Sequence, residues 1–184
     1  GPPTDASGAL GSLTTMSATR TSIPDLARRA KAVAPILARA STDLKDAALL
    51  AAADRLEADV GDLLAANADD VARGKADGMA TGFQDRLQLD TDRIAGMASA
   101  LRQVAGLPDP VGRVTAEWVR PNGLHFTKVR VPLGVVAIIY ENRPNVTSDA
   151  FGLCLKAGNV AFLRGSSGAL ASNLAVTASI RAAL

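Results

Sequence analysis

The sequence predicts an α/β protein in which N-terminal helices and a β-hairpin precede the first βαβ unit of a parallel, doubly wound sheet. Three observations support this fold class. Residues 24–110 carry apolar side chains at helical spacing, residues 113–131 alternate around an Asn-Gly pair, and residues 132–184 hold two apolar runs separated by a helical segment. The order strand, helix, strand, helix favours a right-handed crossover between parallel strands.

The composition of the 184-residue chain is that of a globular protein. Hydrophobic residues make up 48% of the chain and charged residues 21%, which argues against disorder. No run of about 18 apolar residues occurs, so no membrane span or membrane partner is predicted. One Cys and one His exclude an internal disulfide framework and a two-His zinc helix, and we expect a cytoplasmic protein without a metal site.

Charge is unevenly distributed along the chain. The net charge of +2 is too small to indicate a nucleic-acid partner. Residues 1–110 carry a net charge of −3, whereas residues 111–184 carry +5. An anionic ligand is therefore expected to meet the C-terminal part.

The N-terminal region is predicted to be a flexible tail, residues 1–22, followed by helices. The first apolar stripe consists of Leu26, Ala30, Val33, Leu37 and Ala40, and the second of Leu49, Ala53, Leu56, Val60 and Leu63. Pro35 is expected to kink or split the first helix. An irregular stretch with at most a short helix is indicated by Asn67, Gly74, Gly78 and Gly82. Residues 92–105 form the next predicted helix, which ends at Leu107-Pro108.

The hairpin and the βαβ unit follow. Asn122-Gly123 between alternating runs is a strong hairpin signal, and it places His125 on the surface of the second arm. Residues 135–140 and 160–163 are predicted buried strands. Thr147 or Ser148 is expected to cap the helix between them, and residues 169–184 form a last helix.

The loops after the two strands are the candidate site, because ligands bind beyond the carboxyl ends of strands in open α/β sheets. Arg164 offers a positive charge suited to a phosphate or a ribose. Free N–H groups at the following helix start would attract phosphate. An alternative is that Gly165 and Gly168 only form a tight turn. Cys154 shares an apolar helical face, which favours a core thiol over a nucleophile.

Several motifs resemble γ-glutamyl phosphate reductase, also called glutamate-5-semialdehyde dehydrogenase, of the aldehyde dehydrogenase superfamily. The most specific is the run from Tyr140-Glu141 to Arg143-Pro144-Asn145-Val146. Within the matching residues 131–136, Pro132-Leu133-Gly134-Val135 fits the whole superfamily, as does Gly158-Asn159. The remaining matches are residues 67–70, 85–89, 109–112, 121–124, 153–156 and 163–166. The resemblance covers roughly residues 24–184.

The resemblance implies a fold and a reaction. The fold would be aldehyde dehydrogenase-like, with residues 23–184 as an incomplete N-terminal, cofactor-binding domain that starts a Rossmann-like sheet, and with the catalytic domain absent. The family reduces L-glutamyl 5-phosphate with NADPH to L-glutamate 5-semialdehyde and phosphate in proline biosynthesis. A Cys thiolate attacks the acyl phosphate, and the resulting thioester accepts hydride.

Roles for individual residues are also implied by the resemblance. The family's nucleophilic Cys lies beyond the matched region, so this chain should not catalyse alone. Tyr140 and Glu141 match the strand-end loop that borders the nicotinamide, and Asn145 is the candidate for the polar group facing the substrate carbonyl. The candidates around the adenosine ribose or its 2′-phosphate are Arg164, Gly165, Ser166 and Ser167.

Two positions depart from the family pattern. Asn142 stands where the family usually has a small residue. Gly168 lies near the position where the superfamily commonly has a Glu that binds the adenosine ribose. The absence of that carboxylate fits NADPH better than NADH, since a carboxylate would repel the 2′-phosphate.

The resemblance extends to partners. Hairpin 113–131 corresponds to the superfamily's oligomerisation element, so a homo-oligomer is expected, with L-glutamyl 5-phosphate as the small-molecule substrate. Two alternatives stay open: another superfamily member that oxidises an ordinary aldehyde, and a non-catalytic nucleotide-binding or oligomerisation module.

Overall fold

The computed structural model describes residues 22–184 and confirms the predicted α/β order. The helices are α1 (Ile23–Leu37), α2 (Thr42–Ala58), α3 (Val60–Ala76), α4 (Thr81–Leu87), α5 (Thr91–Ala105), α6 (Asn145–Lys156) and α7 (Leu170–Ala182). The strands are β1 (Val114–Val119), β2 (His125–Val129), β3 (Val135–Ile139) and β4 (Val160–Arg164), and a 3₁₀ turn covers Ser167–Ala169. Among the described residues, no helix has the length and apolar character needed to cross a membrane.

The first helix begins and ends differently from the prediction. The predicted tail, residues 1–22, lies outside the described residues except for Ser22, whose hydroxyl accepts the Asp25 N–H at 3.2 Å and caps α1. Pro35 does not split the helix, because it lies in the last turn and α1 ends at Leu37. The ring of Pro35 removes one backbone donor and disturbs the preceding turn, and α1 continues for only two residues beyond it.

The hydrophobic core lies between helices. α2 packs on α5, α3 packs on α7, and α6 covers α5. The buried core consists of Leu49, Ala52, Ala53, Leu56, Leu63, Leu89, Ile94, Met97, Ala98, Leu101, Ala105, Val176 and Ile180. Gly152 allows α6 to approach α5 closely, since a Cβ there would lie 2.7 Å from a methyl carbon of Leu101. Small residues thus let the helices pack closely.

The predicted second stripe is buried except for half-buried Val60, and it belongs to two helices because the chain turns at Asp59 between α2 and α3. The irregular stretch predicted from Asn67 is wrong for residues 67–76, which complete α3. Tertiary contacts outweigh the low helix propensity there. The Asn67 amide donates to the Leu87 carbonyl at 2.8 Å and accepts the Leu89 N–H at 2.7 Å. The short helix that the prediction allowed is α4.

β1 and β2 form the predicted antiparallel hairpin. All residues of both strands are exposed. Gly123 in the turn has φ +85°, a conformation that favours glycine. Trp118 and Phe126 face each other with ring centroids 5.6 Å apart and nearly parallel planes. The hairpin therefore carries large aromatic groups on an exposed ribbon.

β3 and β4 pair in parallel, with Val135 opposite Val160 and Ile139 opposite Arg164. The expectation that both strands are buried is wrong, because Ile139 is 73% exposed and Val135 36%, and residues 160–163 of β4 are only half-buried. A parallel strand is buried when helices cover both faces and strands flank both edges. Within the described residues the sheet has two strands, so β3 presents apolar side chains to solvent.

Helix α6 begins at Asn145, not at a cap formed by Thr147 or Ser148. Pro144 occupies the cap position with φ −58° and ψ −32°, because its ring already fixes a helical φ. Thr147 and Ser148 are instead buried in the first turn. This correction moves Asn145 from a loop onto the first turn of a helix.

Two buried lysines hold the far end of α6. Lys156 donates to the Asp46 carboxylate at 2.5 Å and to the Ala105 carbonyl at 2.8 Å. Lys45 pairs with Asp109 at 2.5 Å and donates to the Lys156 carbonyl at 3.2 Å. These contacts join α2 and the segment after α5 to the C-terminus of α6.

Candidate functional site

The two predicted site loops lie side by side. The Tyr140 N–H donates to the Arg164 carbonyl at 3.1 Å, which continues the parallel ladder to the carboxyl ends of β3 and β4. The loop after β3 holds Glu141 and Asn142, and the loop after β4 runs from Gly165 into the 3₁₀ turn. The structure therefore brings the six predicted cofactor-binding residues to one edge of the sheet.

The Tyr140 side chain is held by the protein itself. Its phenol shares a 2.7 Å hydrogen bond with the Thr147 hydroxyl, which donates at 3.1 Å to the Asn173 side-chain oxygen. The Asn173 Nδ2 is buried and has no hydrogen-bond partner among residues 22–184. The hydroxyl of Tyr140 thus ties β3 to α6 and α7.

The glycines of the second loop are required by close packing. A Cβ at Gly165 would overlap the Asn173 amide and lie 3.2 Å from the Tyr140 ring. A Cβ at Gly168 would lie 2.8 Å from the Asn142 Oδ1. Asn142 also accepts the Ser166 hydroxyl, so it bridges the two loops. The two departures from the family pattern, Asn142 and Gly168, are therefore in direct contact.

The amide groups at the start of α7 do not face an open space. The carboxylate of Asp70, on α3, accepts the Ser172 N–H and the Ser172 hydroxyl at 2.7 Å and the Ala171 N–H at 3.3 Å. Asp70 is fully buried and also pairs with Arg73. The Asp70 carboxylate therefore occupies the N-terminus of α7, where a phosphate was expected. Helix N-termini favour negative charge. Asp70 and Ser172 are far apart in the sequence, so no local pattern predicted this contact.

Arg164 is the positively charged group of this edge. It is exposed at the end of β4, and no Asp or Glu among residues 22–184 lies within ion-pairing distance of it. Glu141 and Ser167 are exposed as well, whereas Ser166 is half-buried. The arrangement offers one guanidinium and hydroxyl groups to an anionic ligand.

Asn145 lies in a separate groove of about 490 Å³ between α4, α5 and α6. The lining residues are Asp85, Arg86, Gln88, Leu89, Arg93, Gly96, Met97, Ala100, Arg143, Asn145 and Asp149. None of the six cofactor-binding candidates lines this groove. The predicted carbonyl-facing residue thus lines a groove of its own, just after the loop that carries Tyr140 and Glu141.

Asp149 is the residue of this groove that the sequence reasoning missed as a functional candidate. The Asn145 Nδ2 donates to its carboxylate at 3.0 Å. Burial raises the pKa of Asp149 above its usual value, although this hydrogen bond acts in the opposite direction. The only signal in the sequence was the spacing of four residues, which places both side chains on one helical face.

Cys154 and His125 take the positions expected of them. Cys154 is buried, and burial raises the pKa of its thiol, which disfavours the nucleophilic thiolate. His125 is exposed on β2, with its Nε2 2.8 Å from a Glu117 carboxylate oxygen. Among residues 22–184 no group of three His, Cys, Asp or Glu side chains is arranged to hold a metal ion.

Comparison with known proteins finds γ-glutamyl phosphate reductases among the relatives of this chain. No family model matches the chain. γ-Glutamyl phosphate reductase of Parvibaculum lavamentivorans is 58% identical over 151 residues, which cover 82% of this chain and 36% of that protein. The protein of the same name from Xanthomonas oryzae pv. oryzae is 53% identical over 162 residues, covering 88% of this chain and 39% of that one. The chain thus spans less than two fifths of the length of these two relatives.

Solved structures of enzymes with the same name share the fold of this chain. The crystal structure of γ-glutamyl phosphate reductase from Thermotoga maritima has a TM-score of 0.82 and 42% identity, over 86% of this chain and 38% of that one. The enzyme of the same name from Saccharomyces cerevisiae also has a TM-score of 0.82, at 28% identity, over 89% of this chain and 42% of the other.

Proposed function

Because this chain is homologous over most of its length to a part of γ-glutamyl phosphate reductase, we propose that it forms the cofactor-binding part of such an enzyme. The reaction would be the NADPH-dependent reduction of L-glutamyl 5-phosphate to L-glutamate 5-semialdehyde and phosphate, a cytoplasmic step of proline biosynthesis. Identity of 53–58% supports this reaction over the oxidation of an ordinary aldehyde.

The single observation that carries the cofactor proposal is Arg164. Its exposed guanidinium stands at the carboxyl end of a parallel strand without a carboxylate partner among the described residues. A guanidinium binds a phosphate through two parallel hydrogen bonds, and the hydroxyl of Ser167 is exposed in the same loop. Gly168 adds no negative charge that would repel a 2′-phosphate. These groups fit NADPH better than NADH.

The protein's own residues would bind and orient the reactants. Bound NADPH supplies the reducing equivalents of the reaction. Arg164 and Ser167 would hold the adenosine end, while Glu141 and the backbone after Tyr140 border the neighbouring strand end. Asn145 uses one of its two amide N–H groups on Asp149, so the second N–H can donate to a substrate oxygen.

The nucleophile of the proposed reaction does not come from Cys154. It is the only Cys of the chain, it is buried, and its pKa is raised, so it stays a thiol near neutral pH. We therefore expect the 184-residue chain to bind cofactor and to lack turnover by itself.

The test is NADPH binding by the Arg164→Gln variant, measured by the fluorescence of the reduced nicotinamide. Loss of a charge-assisted phosphate contact costs about 1.5–3 kcal/mol, so the dissociation constant should rise roughly ten- to hundredfold. The NADH constant should change little, because NADH lacks the 2′-phosphate. Arg181→Gln, an exposed arginine in the last turn of α7, is the matched control. An unchanged NADPH constant would remove Arg164 from the site.

The exposed hairpin supports a proposal about partners. Trp118, Phe126 and Val119 are each at least 41% exposed, and a ribbon of this kind presents unpaired edges. We propose that it joins copies of the protein into a homo-oligomer. The same observation favours a second candidate function, an oligomerisation module without catalysis, and this candidate predicts self-association together with absent NADPH binding.

A further inference from the structure

The groove around Asn145 contains two charged side chains that make neither an ion pair nor a cation–π contact among residues 22–184. Arg143 lines the groove, and no carboxylate of residues 22–184 lies within ion-pairing distance of it. Asp149 lines it too, and the hydrogen bond it accepts comes from the neutral amide of Asn145. A cation and an anion therefore share one groove without pairing to each other.

The other charged residues of the groove have partners. Arg93 pairs with the Asp85 carboxylate at 3.0 Å and donates to the Gln88 carbonyl at 2.7 Å. Arg86 lies over the Phe83 ring at 5.6 Å from its centroid. Arg86 makes no ion pair either, but its guanidinium lies against that ring, so Arg143 and Asp149 are the groove's charged groups with neither an ion pair nor a cation–π contact among residues 22–184.

We propose that this groove binds the α-amino acid end of the substrate, with Arg143 on the α-carboxylate and Asp149 on the α-ammonium. A zwitterion satisfies both groups at once, whereas a simple anion or cation satisfies one and leaves the other partly desolvated. The inference deepens the proposed function and rests on it for the glutamyl nature of the ligand.

The size and the remaining lining of the groove suit such a ligand. A volume of about 490 Å³ lies within the usual range for small-molecule pockets. Leu89, Met97 and Ala100 supply apolar surface for a short aliphatic chain. Asn145 contacts Asp149 directly, so it holds the carboxylate in place beside the ligand.

The experiment uses the ¹⁵N-labelled 184-residue chain and three probes, followed by NMR chemical-shift titration. The probes are L-glutamate, glutarate, which lacks the ammonium group, and 4-aminobutyrate, which lacks the α-carboxylate. L-Glutamate should shift amide signals of the groove, and each of the other two should bind at least tenfold more weakly. Arg143→Gln and Asp149→Asn should each weaken L-glutamate binding by tenfold or more. Arg143→Lys, which keeps the charge, should recover part of the affinity.

The controls separate this inference from the cofactor proposal. Arg181→Gln should bind L-glutamate as the unsubstituted chain does, and the dispersion of the amide spectrum reports whether each variant is folded. Equal affinity for L-glutamate and glutarate, absence of L-glutamate binding, or unchanged binding by folded Arg143→Gln and Asp149→Asn would overturn the inference. If the unsubstituted chain binds L-glutamate but does not bind NADPH, the proposed cofactor role is contradicted and the groove assignment stands.

Discussion

The ion pair between Lys45 and Asp109 gives a stability prediction whose size follows from burial. Lys45 is 2% exposed, and its ammonium contacts the Asp109 carboxylate at 2.5 Å and the Lys156 carbonyl at 3.2 Å. Asp109→Asn keeps the shape of the side chain but leaves a buried ammonium without its counterion. Breaking a buried ion pair costs about 3–5 kcal/mol. Because the Asp109 side chain is 16% exposed and partly screened by water, we expect about 2–3 kcal/mol.

The assay is urea unfolding at pH 7, followed by far-UV circular dichroism. Lys45→Met combined with Asp109→Asn should recover most of the lost stability, since the double variant leaves no buried charge at this site. Arg102→Gln is the matched control: Arg102 pairs with Asp54 and Glu57 on the surface, and its loss should change the midpoint much less.

The pH dependence has a defined sign. Burial alone would raise the pKa of Asp109, but the hydrogen bonds from Lys45 and Thr42 outweigh it, so the pKa lies below its usual value. Its contribution to stability is present above the unfolded value of about 3.9 and is lost as the pH falls through the folded pKa. Asp109→Asn should flatten this part of the acid-unfolding profile. A cost for Asp109→Asn no larger than that for Arg102→Gln, or an unchanged acid profile, would refute the reasoning.

Three further predictions concern the loops, the hairpin and catalysis. Gly168→Ala should lower the free energy of unfolding by about 1–3 kcal/mol through overlap with Asn142, and Asn142→Gly should restore it; additive effects in a thermal-melt double-mutant cycle would contradict the contact. Trp118→Glu should shift the protein toward monomer in sedimentation velocity, with Arg181→Gln outside the hairpin as a control that also lowers the net charge by one, and an unchanged distribution would exclude the hairpin as the interface. The purified chain should oxidise no NADPH with L-glutamyl 5-phosphate, and measurable turnover would show that the nucleophile assignment is wrong.

The order of helices and strands was predicted from the sequence because each element depends mainly on residues that are close together in the chain. The Asn122-Gly123 turn, the apolar runs of β3 and β4, and the helical face of α5 all have one dominant interpretation. The start of α6 was missed, since Thr147 looks like a cap and the fixed φ of Pro144 has the stronger effect. The burial of β3 was overestimated, because an apolar run in the sequence does not show how many strands and helices pack against it.

The candidate site was predicted in part. The adjacency of the loops after β3 and β4 followed from parallel pairing, and the structure places Arg164 there as expected. The Asp70 cap on α7 depends on a contact between residues about a hundred positions apart, which no local pattern reports. The groove around Asn145 is likewise formed by the packing of α6 on α5. No local pattern predicts that Arg143 and Asp149 both line it.

The most direct test of the cofactor-binding account is the footprint of NADP⁺ on the chain, measured by hydrogen–deuterium exchange. Bound NADP⁺ should slow exchange in two stretches only, residues 140–142 and 164–168 at the carboxyl ends of β3 and β4, and leave the hairpin unaffected. Arg164→Gln should reduce this protection to half or less at a concentration of ten times the dissociation constant of the unsubstituted chain. Protection that is absent, or that lies elsewhere and persists in Arg164→Gln, would contradict the assignment of this sheet edge as the cofactor site.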